Sequence, residues 1–214
     1  MRFDDIKHVW PAEHHDLSAP PTHHSHLSDI GWQRRMGLYG RIQGFRRAAE
    51  ILHHAMLTDQ SVRDLDTVVF PYATCWRHHI ELQLKSILVQ LRVMCDLPAK
   101  AAHHHKIDQL WAETQKIIAK EFPDEKVDLD NVSRVIGQLS KLDPDGQEFR
   151  YASRRDGSDT LPDLDRINLL AFHEAMLGVA QYLDATDTAA GETISMKREI
   201  DEYYAEAFDD WDSY

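Results

Sequence analysis

The sequence predicts an all-α protein, an antiparallel bundle of about five to six helices. Three observations lead there. Apolar residues recur at helical intervals in several separate stretches. No alternating strand pattern of any length occurs. Prolines and turn residues part the stretches, and short loops join antiparallel neighbours most simply. At 214 residues the chain suffices for one sizeable core and is short for two.

Residues 1–30 are rich in His and Pro without a period, and read as an irregular arm. The bundle is expected over 31–190. Its first helix is predicted at 32–57, where Trp32, Met36, Tyr39, Ile42, Phe45, Ala49, Leu52 and Met56 recur. Gly37, Gly40 and Gly44 interrupt that run and weaken it as a helix. The strongest element is 62–96. Pro71 permits a kink near its start. Beyond it, Ala73, Trp76, Ile80, Leu84, Ile87, Leu88, Leu91 and Met94 mark one apolar stripe, and Pro98 follows the end. A helix at 106–120 turns Ile107, Leu110, Trp111, Ile117 and Ile118 to the core. Another spans 128–141 and ends before the turn Asp143-Pro144-Asp145-Gly146. Residues 147–161 are polar and irregular. Pro162, at the first helical position, opens the last long helix, which runs to about Leu183. On it Ile167, Leu170, Ala171, Glu174, Leu177 and Tyr182 recur with mixed faces. Residues 191–214 form an acidic tail or peripheral helix.

Composition narrows the function classes. No run approaches the ~20 apolar residues that span a bilayer. The N-terminus has no apolar core of signal-peptide type, so a cytoplasmic protein is expected. The two cysteines, Cys75 and Cys95, fall on one predicted helix roughly 30 Å apart, too far for a disulfide. A net charge of -12 opposes general attraction to phosphate backbones. The charge is uneven, since residues 192–214 carry eight acidic and two basic residues. That tail could dock on a basic protein partner. Arg34-Arg35, Arg46-Arg47 and Arg154-Arg155 are local basic spots, readable either as ligand contacts or as solvated surface.

Three blocks carry a family resemblance. Arg77-His-His-Ile-Glu-Leu-Gln-Leu-Lys85 has Arg, then Glu, then a Leu-Lys pair. His105-Lys-Ile-Asp-Gln-Leu-Trp111 opens the next helix. Phe149-Arg-Tyr151 precedes a short polar loop, with Ala152 where an Arg-Tyr-Pro signature has proline. In this order and spacing, over residues 70–185, they resemble the HEPN superfamily of small helical bundles. The resemblance implies a role in RNA metabolism, antiviral defence or a toxin–antitoxin pair. It implies either a metal-independent endoribonuclease acting as a homodimer, or a non-catalytic module binding a nucleotide, RNA or a partner protein.

Each type puts weight on different residues. Metal-free RNA cleavage needs a group that moves protons and a group that stabilises phosphorane charge. Histidine and arginine suit those tasks. Residues seven apart on a helix lie nearly in line. Arg166 with His173, Arg46 with His53, and Arg47 with His54 meet that spacing. The family position favours Arg166 and His173 as the catalytic pair, although Ile167 stands where a polar residue is usual. The binding type points instead to Arg77, Glu81 and Lys85, an i, i+4, i+8 ladder, joined by His78, His105, Arg150 and Tyr151. The plain reading of the ladder is a salt-bridged face worth a few tenths of a kcal/mol per pair. The histidine runs at 14–15, 23–26 and 103–105 match no zinc spacing, so no metal or other cofactor is expected. No Gly-x-Ser-x-Gly element is present, and neither cysteine has a spacing cue to a base.

Overall fold

The computed structural model describes residues 13–59 and 61–211, without the side chains at 32, 33, 35, 59 and 207–211. The reading of the extreme N-terminus, the core role of Trp32 and the last three tail residues lie outside what is described. The chain divides into two compact units after Gly37.

In the first unit, His24–His26 make one turn of 3-10 helix, and the His23 side chain accepts a hydrogen bond from the Ser25 amide at its start. A short helix, α1 (Ile30–Arg35), follows. Gly37 has φ +60°, a left-handed conformation that glycine adopts without steric penalty. The helix expected over 32–57 therefore breaks here.

The second unit holds α2 (Tyr39–Asp59), α3 (Val62–Met94), α4 (Ile107–Glu121), α5 (Lys126–Leu142) and α6 (Leu169–Trp211). Among the described residues the only β feature is one isolated bridge, Ser153 with Asp159. Helix α3 is central: it touches α2, α4 and α6, while α5 closes against α4 and α6. Its predicted stripe, from Ala73 and Trp76 to Leu91 and Met94, is buried throughout. Pro71 lies inside α3 and is exposed, so its missing N–H falls on the solvent side and the helix continues.

Because helices surround α3, several of its polar residues are buried too, and burial favours pairing them, although Trp76 Nε1, His79 Nε2 and Gln83 Oε1 have no hydrogen-bond partner among the described residues. The Nδ1 atom of His79 donates to the Ile42 carbonyl on α2 at 2.9 Å. The Gln83 amide donates to the Ala180 carbonyl and the Asp184 carboxylate on α6. On α4, Trp111 donates to Ser133 of α5 at 3.0 Å. These bonds fix how the helices sit against one another, which apolar contact alone does not specify.

Two helix ends explain themselves locally. At the end of α3, Asp96 is left-handed at φ 57° and the Leu97 amide reaches back to the Arg92 carbonyl at 2.8 Å, a Schellman closure. At the start of α6, Asn168 caps the helix by accepting from the Ala171 amide at 3.2 Å. This cap corrects the expected start at Pro162. Residues 162–168 stay non-helical, and the Asn168 side chain takes an orphan N–H at the start of the helix. Of the residues read on α6 with mixed faces, Leu177 and Tyr182 pack partly buried against the core. Met176, Val179, Ala180, Leu183 and Ala190 are buried, whereas Leu170, Ala171 and Glu174 are exposed. Helix α6 then runs unbroken through the acidic segment to Trp211.

Where α2, α3 and α6 meet, two imidazoles stack. The rings of His53 and His173 lie 3.8 Å apart with planes within 2°. The Tyr72 hydroxyl is 3.3 Å from His173 Nδ1. Burial pulls His53 below its ordinary value of 6.5, and the neighbouring His173 and His54 pull it further. Burial likewise lowers His173, against the opposing charges of Glu50 and Glu174. Both groups fold as neutral rings, so below pH 6.5 the unfolded chain takes up protons that the folded chain refuses. Thermal stability should therefore fall as pH drops from about 7 to about 5. The double variant His53→Phe, His173→Phe keeps the stack without titrating, and should show a shallower fall by scanning calorimetry. An unchanged slope would contradict the assignment.

Candidate functional site

A polar concavity lies beside the middle of α3. It encloses about 460 Å³ between α3, the segment before α4 and the loop after α5. Its walls include Arg77, His78, Glu81, His105, Arg150 and Tyr151, together with Asp143, Asp145, Arg154 and Arg155.

The floor is a buried ionic knot. Glu81 is 3% exposed and Arg77 2%. The Arg77 guanidinium donates to Glu81 Oε2 at 3.1 Å, to the Asp143 carbonyl at 3.0 Å, to the His105 carbonyl at 2.7 Å and to the Pro144 carbonyl at 3.4 Å. The other Glu81 oxygen accepts from Lys85 Nζ and from His105 Nδ1, each at 2.8 Å. Burial pushes the Glu81 carboxyl up, but hydrogen bonds from Lys85 and His105 and the charges of Lys85 and Arg77 outweigh it. The net direction is down, so Glu81 is ionised at neutral pH.

The outer wall is the loop at 143–161, and two acids hold it. Asp143 ends α5 and turns its carboxylate inward, where it accepts from the Glu148 amide at 3.2 Å. Burial pushes this carboxyl up, against the loop's backbone amides and the Arg77 charge. Gly146 supplies the left-handed position of the turn at φ 82°. Glu148 takes a two-pronged grip from Arg154 at 2.7 and 2.9 Å and a further bond from the Leu161 amide at 2.9 Å. The Arg154 hydrogen bond holds Glu148 below the usual carboxylate range. Gly157 closes the loop's tip at φ 85°.

What faces the cleft is cationic. Arg150 and Arg155 are exposed and form no ion pair among the described residues. Arg77, Lys85, Arg150, Arg154 and Arg155 bring five positive charges to Glu81, Asp143, Asp145 and Glu148, in a chain of net charge -12. His78 stands beside them with its ring edge-on to Phe45. Burial holds its pKa below the ordinary imidazole value, Glu81 opposes this, and Arg150 adds to it. Tyr151 presents an exposed aromatic ring at the mouth.

All seven residues singled out for binding from the sequence thus converge, with Lys85 joined through Glu81. Arg166 and His173 do not share a helix. Arg166 lies in the segment before α6 and lines a separate, mostly apolar groove with Leu164, Ile167 and Phe172. The ring neighbours of His173 are His53, Tyr72 and Trp76 in the interior. Arg46 ties α2 to Asp184 of α6 and also pairs with Glu50, while His54 is exposed beside Thr58. Both cysteines are free thiols. Among the described residues no three potential ligands gather as a metal site. Sequence reading did not mark Asp143 or Glu148. Their only cue was position, in a turn motif and six residues before Arg154.

Removing the carboxylate at the centre should unfold the knot. Glu81→Ala leaves Arg77 buried without its counter-charge, and breaking such a pair costs about 3–5 kcal/mol. Urea denaturation measures this. A loss under about 1 kcal/mol would show that the knot is solvated and not structural. A scan against protein-family models finds no match for this chain, and searches of curated proteins and of solved structures find none either.

Proposed function

We propose that this protein is a HEPN-like module that binds a phosphate-bearing ligand, a nucleotide or an RNA strand, in the cleft beside α3. One observation carries the reading. Among the described residues Arg150 and Arg155 form no ion pair, and they stand over a floor in which Arg77, Glu81 and Lys85 are paired. Exposed arginines elsewhere, such as Arg63 and Arg134, stand apart, whereas these two share one concavity with an aromatic ring. Planar guanidinium forks match phosphate oxygens. Tyr151 offers a face on which a base can stack, worth about 1–3 kcal/mol per base in single-strand binders. The net negative charge of the whole chain disfavours long nonspecific nucleic-acid contact, so a short strand or a single nucleotide fits better than a duplex.

The endoribonuclease reading, with Arg166 and His173 composed across a homodimer, is the rival. It requires an imidazole that reaches solvent, and the stacking of His173 on His53 argues against that use. The binding module is therefore the preferred reading.

Titration of adenosine monophosphate and of a short single-stranded RNA, followed by calorimetry at low and moderate salt, tests it. The expected result is salt-sensitive binding. The double variant Arg150→Ala, Arg155→Ala should weaken it at least about tenfold, equal to about 1.4 kcal/mol, with an unchanged melting temperature. Binding that survives the double variant undiminished, or no binding by either ligand at millimolar concentration, would contradict the reading.

A further inference from the structure

We propose that the C-terminal stretch of α6 is a docking helix, and that its partner is a protein presenting a basic amphipathic helix. Ligand binding in the cleft beside α3 plays no part in it.

Helix α6 outruns the bundle. Among the described residues Ile194 is the last on α6 that packs against the core. Lys197 then fastens the helix to the end of α3, donating to the Met94 carbonyl and to the Asp96 carboxylate, each at 2.7 Å. Residues 198–206 are all exposed, yet α6 stays helical to Trp211. That is roughly 20 Å of helix beyond its last anchor. Helices in proteins draw most of their stability from packing an amphipathic face. This stretch has such a face and leaves it open. Met196 is 63% exposed, Ile200 49%, Tyr203 69% and Tyr204 57%. The first three follow one another at intervals of four and three, the spacing of a coiled-coil seam, with Tyr204 beside them. The plain alternative is a solvated helix end. Single exposed apolar side chains are ordinary, but these four share one face and form a patch.

The charges beside the seam define the occupant. Glu199 and Glu206 sit seven apart on one flank, and Asp201 lies on the other. None of the three forms an ion pair among the described residues. The nearby cations are already engaged: Lys197 holds Asp96, and Arg198 pairs with Glu202 at 3.7 Å. Flanking charges select the partner of a helical seam. A second copy of this helix would set like charges side by side. Nucleic acid and anionic lipid surfaces carry the same sign and are disfavoured for the same reason. A helix with an apolar stripe and lysine or arginine beside it answers the open face and the free carboxylates together. The rings of Tyr203 and Tyr204, edge-on at 5.9 Å, add aromatic area that attracts cations as well.

The test uses the full chain and three labelled synthetic peptides of one length. The first carries leucine at the seam positions and lysine or arginine beside them. The second replaces those basic residues with glutamate. The third keeps the composition of the first in an order that forms no apolar face. Fluorescence anisotropy at physiological salt reads binding. The expected result is micromolar affinity for the basic peptide, with the other two at least about tenfold weaker. In Ile200→Glu, Tyr203→Glu that affinity falls at least about tenfold, although the chain has become more negative, whereas attraction by charge alone would rise. Glutamate is a good helix former and both sites are exposed, so the circular dichroism and melting temperature stay as in wild type. In Glu199→Lys, Glu206→Lys the preference shifts toward the acidic peptide. No binding of the basic peptide at about 100 μM would overturn the proposal. So would equal binding of the basic and scrambled peptides, or undiminished binding in Ile200→Glu, Tyr203→Glu. A wild-type dimer in light scattering that this double variant turns into a monomer would give the face to a second copy, and overturn it too.

Discussion

A single buried guanidinium joins the parts of this molecule that matter most. Arg77 sits in the most buried stretch of α3, and its donors reach Glu81 on the same helix, the carbonyl of His105 before α4 and two carbonyls that follow α5. Lysine could make one of those contacts. The planar fork makes them together, because its donors diverge in fixed directions. The backbone on either side of the α4–α5 hairpin is therefore tied to one point on α3. A buried ion pair is weak evidence for stability, since hydrophobic residues of similar volume often do as well. What it does here is join Glu81, the His105 carbonyl and the carbonyls of Asp143 and Pro144 at one point.

The cleft follows from that constraint. With Asp143 and Pro144 anchored, the loop after α5 must leave α3 at a set place, and Glu148 curls it back through Arg154 and the Leu161 amide. Paired charges thereby form the floor and inner wall. Arg150, Arg155, His78 and the outer nitrogen of His105 are left facing the opening. The concavity therefore combines cations that are already paired with cations that are exposed at its opening.

Much of the fold was legible because helical periodicity is a local property. The stripe on α3 and the core face of α4 could be read from spacing alone. Helix α6 was harder. Glycine, alanine and threonine line much of it, so its inward face gives little contrast in hydropathy, and the cap at Asn168 outranked the proline at 162. Convergence of Arg77, Glu81 and His105 with Arg150 and Tyr151 was foreseen only through the family resemblance. Nothing in periodicity links residues so far apart along the chain. Asp143 and Glu148 were illegible for a related reason: buried acids inside a polar loop look like any solvated acids until their amide and guanidinium partners are placed.

The cluster at His53 and His173 gives the opposite lesson. A spacing of seven on a helix drew attention to His173 as a catalytic group, and the structure stacks its half-buried ring on His53. Sequence spacing reports which residues share a face. Whether that face meets water is decided by the neighbouring helices. Arg77 donates to both segments around the cleft and is the side chain that joins them. Hydrogen exchange in Arg77→Lys, followed by mass spectrometry, tests this most directly. The prediction is that amides at 103–106 and at 143–155 exchange faster together, by at least about tenfold, while the helical core stays protected. Faster exchange in only one of the two segments, or in neither, would contradict it.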